Sequence, residues 1–290
     1  MDSVDFSLKW HEHRLDLGAR THLMGVLNVT PDSFSDGGRY FSEAKAVARG
    51  IEMARDGADI IDIGGESTRP YSDRLSTDEE MSRVIPVIRR LSREIPIPIS
   101  IDTYKSKVAR EALNAGASII NDISALRLDP RMAEVAAEAG VPVILMHMQG
   151  TPDNMQLNPR YDDLLNEIID FFKDAVKRCK LAGIKEHRII LDPGIGFGKT
   201  FDHNLSVIHQ LKKFQVLQKP LLVGPSNKAF IGKILGRKAH ERDTGTMAAV
   251  AACVMNGAHV VRVHNVKLSV ETIKVIDAIR RERVNETVLG

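Results

Sequence analysis

"SEAKAVARGIEMARDGADIIDIGG", residues 42–65, carries one complete helix-to-strand unit. Ala44, Val47, Ile51 and Ala54 recur at the spacing that lines one face of a helix. Gly57 follows, where a left-handed C-terminal cap favours glycine, and the chain enters the β-branched run 59–64. The junction recurs in "RDGAD", "NAGAS", "EAGVP", "LAGIK" and "NGAHV", which place Gly57, Gly116, Gly140, Gly183 or Gly257 just before the next apolar run. Repeated units of this kind imply parallel strands joined by helices.

Eight such runs are present: 22–28, 59–64, 97–102, 118–123, 141–147, 188–192, 220–224 and 259–264. Helix-period segments lie between them, among them "STDEEMSRVIPVIRRLSRE", with Ser76 or Thr77 as its N-cap. Two doubly wound domains would also use this alternation. The count of eight, with no linker or composition break, favours a single closed (β/α)8 TIM barrel spanning residues 1–290, with residues 6–17 as an N-terminal β-hairpin closing its bottom.

The 290 residues suffice for such a barrel, and 43% hydrophobic content supplies its core. Forty basic and 38 acidic residues are spread along the chain, so nothing marks a nucleic-acid or anionic-membrane surface, and small-molecule partners are expected. Cys179 and Cys253 fall in helix-like segments without metal-ligand spacing, which fits reduced thiols in the cytoplasm. The N-terminal stretch has no apolar signal core, and "MAAVAACVMNGAHVVRV" is broken by Asn256, Gly257 and His259, short of a membrane span.

Barrel enzymes build their sites at the C-terminal strand ends. Those ends here are Asn28, Asp62 with Glu66, Asp102, Asn121 with Asp122, His147, Asp192, Gly224 leading to Lys228, and Arg262 with His264. Buried charges cost several kcal/mol unless paired, so polar groups at seven of eight ends point to a ligand. Each also has a plainer reading. Asp62 and Asp122 serve equally well as caps or as partners of a neighbouring cation, and the plainer role of His147 is a hydrogen bond inside the mouth. The "HEH" at 11–13 reads as solvated.

The stretch "DPGIGFGKT", 192–200, ends like a phosphate-binding loop, but that motif requires glycine where Pro193 stands. Glycines 194, 196 and 198 instead let backbone and Phe197 approach a flat ligand. Arg262 and His264, two apart on the last strand, share a face and suit an anion. Asp102, Asn121 and Asp192 suit a flat nitrogen heterocycle bearing an amino group. The loop that opens with "GVLNVTPDSFSDGG", 25–38, is too long and too rich in donors and acceptors for a simple turn.

In order, "GVLNVTPDSFSDGG", "DIIDIGGESTRP", "SIDT", "NDI", "MHMQGTPDNMQ", "LDPGIGFGKT", "LVGPSNKAFIG" and "RVHNV" resemble the motifs of the dihydropteroate synthase family, over residues 22 to 280. The resemblance implies a (β/α)8 barrel, usually a homodimer, joining 6-hydroxymethyl-7,8-dihydropterin diphosphate to p-aminobenzoate in folate synthesis. It implies pterin contacts from Asp102, Asn121, Asp192 and Lys228, with Met146 and Phe197 lining the pocket. Asn28, Arg262 and His264 match groups holding the diphosphate, Asn28 through Mg²⁺. Phe34, Asp36, Thr68, Arg69 and Pro70 match loop segments that build the aminobenzoate site. Where the family commonly reads Ser-Arg-Lys-Ser, this chain reads Ser226, Asn227, Lys228, Ala229, a departure that bears on aminobenzoate contacts and sulfonamide response. A pterin-binding methyltransferase acting on a corrinoid protein resembles the same barrel and acidic pocket but needs no diphosphate groups.

Overall fold

A computed structural model of the chain describes residues 6–30, 38–66 and 74–282, with the side chains of residues 38–42 left aside. The hairpin expected over 6–17 is formed by β1 (Ser7–Trp10) and β2 (His13–Asp16), paired antiparallel with Leu8 opposite Leu15. Phe6 packs edge-on against His259, with ring centroids 4.7 Å apart, so the hairpin sits under the N-terminal ends of the barrel strands. His11 and Glu12 at its tip are exposed, while His13 is half-buried against Trp10.

Each of the eight apolar runs forms a strand: β3 (His22–Asn28), β4 (Ile60–Gly64), β5 (Ile99–Asp102), β6 (Ile119–Asp122), β7 (Val143–Met146), β8 (Ile189–Asp192), β9 (Leu222–Val223) and β10 (Val260–Val263). They pair in parallel in the order β8-β7-β6-β5-β4-β3-β10-β9. A bridge between Leu191 and Leu221 joins β8 to β9 and closes the ring, and Leu191 N–H donates to the Pro220 carbonyl at 3.0 Å. Parallel strands covered on both faces read as continuous apolar runs, and β4, β6, β7 and β8 are buried along their whole length.

The covering layer is α1 (Gly38–Arg55), α2 (Thr77–Glu94), α3 (Ser106–Asn114), α4 (Met132–Ala139), α5 (Leu164–Leu181), α6 (Phe201–His209), α7 (Ala229–Leu235), α8 (Asp243–Met255) and α9 (Val266–Arg281). The segment after β9 carries two of these helices, α7 and α8, which alternation alone did not distinguish. Ser76 caps α2 by accepting from the Glu79 N–H at 3.2 Å. The five junction glycines all take positive φ. At Gly116 the demand is doubled, since a side chain there would also meet Ser92 at 2.5 Å. Cys179 and Cys253 are free and buried, and no described helix is long and apolar enough to cross a membrane.

Candidate active site

The deepest polar layer is built around Arg262 on β10. Its Nε donates to Asp62 Oδ2 at 2.6 Å and its Nη2 to Asp102 Oδ2 at 2.7 Å. Asp62 also accepts from Asn121 Nδ2 at 3.1 Å. Of the two readings open for Asp62, partner of a cation is the one the structure takes. Asp122 is a loop anchor: its carboxylate accepts from the N–H groups of Ser124 and Leu126 at 2.7 and 2.9 Å. Burial pushes the Asp102 carboxyl up to about 7 against the pull of Arg262, while the two carboxylates hold the guanidinium above its ordinary value.

A second layer comes from the loops after β8 and β9. Asp192 Oδ1 accepts from Gly194 N–H at 2.8 Å, and burial raises its pKa. Gly194 has φ of 71°, and a Cβ there would stand 2.0 Å from the His147 carbonyl oxygen, so only glycine lets this loop close over β7. Lys228, the N-cap of α7, places Nζ 4.4 Å from the centroid of the Phe197 ring. Burial, helped by the nearby Arg262, brings the Lys228 ammonium down to about 8.

Lys199, the lysine of the false phosphate-loop motif, is buried. Its Nζ lies 2.9 Å from His147 Nδ1 and donates to the Phe197 carbonyl at 3.1 Å. It braces the loop and presents no charge to a phosphate. Burial and this cation push the His147 pKa down to about 2, so the imidazole is neutral and serves as the internal hydrogen-bond partner that its plainer reading describes.

Beside these groups lies an apolar patch of Ile123, Met146, Met148 and Met155, on which Tyr104 and Phe197 pack half-buried. Sequence reasoning named Met146 and Phe197 and missed the other four. The three methionines stand at positions 146, 148 and 155 of one short stretch, the only linear signal for a soft, adaptable surface.

His264 lies one residue beyond the end of β10, so the last strand is shorter than its apolar run. Ser226 Oγ accepts from the His264 N–H at 3.3 Å and stands 2.9 Å from its Nδ1. Asn28 ends β3 and pairs in register with Gly64 of β4. Asn227 has φ of 58°, a left-handed conformation that asparagine tolerates, and its N–H donates to Thr246 Oγ1 at 3.1 Å. Phe34, Asp36, Thr68, Arg69 and Pro70 lie outside the described residues. The described residues include no group of three or more His, Cys, Asp or Glu side chains placed to hold a metal ion.

Carboxylates, an amide, a lysine and an arginine lie here beside a methionine and aromatic patch, a set of donors and acceptors of the kind that suits a flat, nitrogen-rich ring. Residues 24–264 match the family model described as pterin binding enzyme. The dihydropteroate synthase of Escherichia coli strain K12 is 47% identical over 272 residues, covering 94% of this chain and 96% of that protein. The solved structure of Yersinia pestis dihydropteroate synthase in a sulfonamide drug complex superposes with a TM-score of 0.90 at 44% identity, covering 95% of this chain and 99% of that one. The Xanthomonas albilineans dihydropteroate synthase with 4-aminobenzoic acid gives a TM-score of 0.89 at 41% identity, covering 95% and 98%. The chain belongs to the pterin-binding enzymes and, within them, to the dihydropteroate synthase family.

Proposed function

We propose that the chain condenses 6-hydroxymethyl-7,8-dihydropterin diphosphate with p-aminobenzoate, giving 7,8-dihydropteroate and pyrophosphate. The observation that carries this reading is that Asp102, Asn121 and Asp192, from the ends of β5, β6 and β8, and Lys228, from the loop after β9, are linked to one another and to Met146 and Phe197: Asp102 stands opposite Asn121, Asp192 opposite Met146, and Lys228 lies over the Phe197 ring within the fields of Asp102 and Asp192. The relatives in the comparison support it through the substrate and drug named with them, 4-aminobenzoic acid and a sulfonamide.

In this reading the carboxylates of Asp102 and Asp192 accept from the amino and ring N–H groups of the pterin, while Asn121 both donates and accepts. Met146 and Phe197 flank the ring faces. The arylamine is already unprotonated at neutral pH, so no strong base is required. Its nitrogen forms a bond to the methylene carbon as the carbon–oxygen bond to the diphosphate breaks, and the displaced amine proton leaves to solvent. Arg262 uses two donors of its fork on Asp62 and Asp102. A guanidinium carries five, so it retains capacity for the diphosphate, to which His264 is also assigned. The carboxylates favour positive charge on the pterin, and Arg262 and His264 favour negative charge on the leaving group.

Mg²⁺ fits this donor set through Asn28. It is a hard ion that takes one or two protein oxygens and completes its shell with phosphate oxygens and water, so an amide oxygen at a strand end suffices. When bound it would neutralise charge on the diphosphate. Phe34, Asp36, Thr68, Arg69 and Pro70 are assigned to the aminobenzoate side. A cytoplasmic homodimer acting on small molecules completes the reading. Incubation with both substrates and identification of 7,8-dihydropteroate by mass spectrometry tests it. Formation of product supports the assignment, whereas no product, with demethylation of methyltetrahydrofolate in its place, overturns it.

A further inference from the structure

Next to the mouth lies a second buried polar assembly that the reaction above does not use. Lys105 Nζ donates to Glu66 Oε2 at 2.5 Å, Glu80 Oε2 at 2.7 Å and the Leu75 carbonyl at 2.8 Å. These three acceptors saturate an ammonium group. The second oxygen of Glu66 accepts from the Tyr104 hydroxyl at 2.9 Å. Only 14% of the Lys105 side chain, 10% of Glu66 and 1% of Glu80 is exposed. Buried ion clusters of this kind are frequently no more stabilising than apolar residues of the same volume, so stability alone does not account for this one.

What this one orients is a ring. Tyr104 packs on the same patch of Ile123, Met146, Met148 and Met155 as Phe197, and both aromatic rings are half-buried. Tyr104 stands two residues beyond Asp102, so one short loop supplies a carboxylate for the edge of a flat ligand and an aromatic ring at the patch. The bond to Glu66 stops the phenol from swinging, and Lys105 fixes Glu66 in turn.

We propose that Tyr104 is a second aromatic wall of the ring pocket and that Lys105, acting through Glu66, is the positioning residue that sets its angle. Pre-orientation of this wall removes ordering cost from ligand binding. The inference rests on the pterin reading of the site.

The test is fluorescence titration of the full chain with 6-hydroxymethylpterin, alongside melting curves. Tyr104→Ala weakens binding about 3- to 10-fold with a normal melting temperature, the range expected for loss of one aromatic face. Tyr104→Phe, which keeps the ring and loses the tether, falls between it and the parent protein. Lys105→Met weakens binding in the parent protein and has no further effect in the Tyr104→Ala background, while Lys105→Arg restores it. Where Lys105→Met fails to fold, Glu66→Gln in the same two backgrounds replaces it. Parent-like binding by folded Tyr104→Ala overturns the wall. Equal losses from Lys105→Met in both backgrounds overturn the positioning role. Failure of the parent protein to bind the probe overturns the pterin reading itself.

Discussion

Replacing Asp102 by asparagine removes one charge from the centre of the site and leaves its shape. In the structure Asp102 Oδ2 accepts from Arg262 Nη2 at 2.7 Å, and the side chain is 12% exposed. Arg262 keeps its bond to Asp62 at 2.6 Å, so no buried charge is orphaned and the melting temperature should stay near that of the parent protein. Ligand binding responds differently. A carboxylate accepts two hydrogen bonds from an amino and ring N–H edge, whereas an amide turns one acceptor into a donor facing a donor. Losing one charge-assisted bond is worth about 1.5 to 3 kcal/mol, or roughly 10- to 150-fold in affinity for the pterin ring. Calorimetry at pH 8 is the appropriate assay, because Asp102 titrates near 7 and is ionised there. At pH 6 the parent protein carries a protonated Asp102 and the gap between the two proteins should narrow. Equal affinity at pH 8, with both proteins folded, would refute the assignment of Asp102 to the ring.

The same groups set a pH profile. kcat/KM for the pterin substrate should fall below about 7 as Asp102 gains a proton and above about 8 as Lys228 loses one, and Lys228→Met should lower turnover and abolish the alkaline limb in initial-rate measurements. Asn28→Ala should raise the Mg²⁺ concentration needed for half-maximal rate while leaving 6-hydroxymethylpterin affinity unchanged; a normal Mg²⁺ titration would remove Asn28 from the metal site. Ala229→Ser, alone or with Asn227→Arg, should shift the KM for p-aminobenzoate or the inhibition by sulfonamides with constant pterin affinity, and a change confined to the pterin would contradict the placement of that segment.

The barrel was legible because its signals are local. Parallel strands buried on both faces must be apolar throughout, and each return to a strand needs a glycine such as Gly57 at positive φ. Strand-end polar residues follow from topology, which is why the sequence alone points to Asp102, Asn121, Asp192 and Arg262. Their pairing was not legible. Asp62 and Arg262 lie 200 residues apart in the chain, and nothing local tells which carboxylate a distant arginine will hold. The same holds for Lys199: Pro193 already rules out a phosphate loop, but nothing local shows that its amine meets His147. Tyr104 and Lys105 escaped notice because a lone aromatic and a lone lysine in a loop carry no periodic signal.

Central to the proposed function is the joining of an arylamine to a pterin at this mouth with expulsion of pyrophosphate. The most direct measurement is the rate of pyrophosphate release with the pterin diphosphate, Mg²⁺ and p-aminobenzoate, each omitted in turn. Release should require all three, match dihydropteroate formation one for one, and collapse in Asp102→Asn. Release that proceeds at the same rate without p-aminobenzoate, or none with all three present, would contradict it.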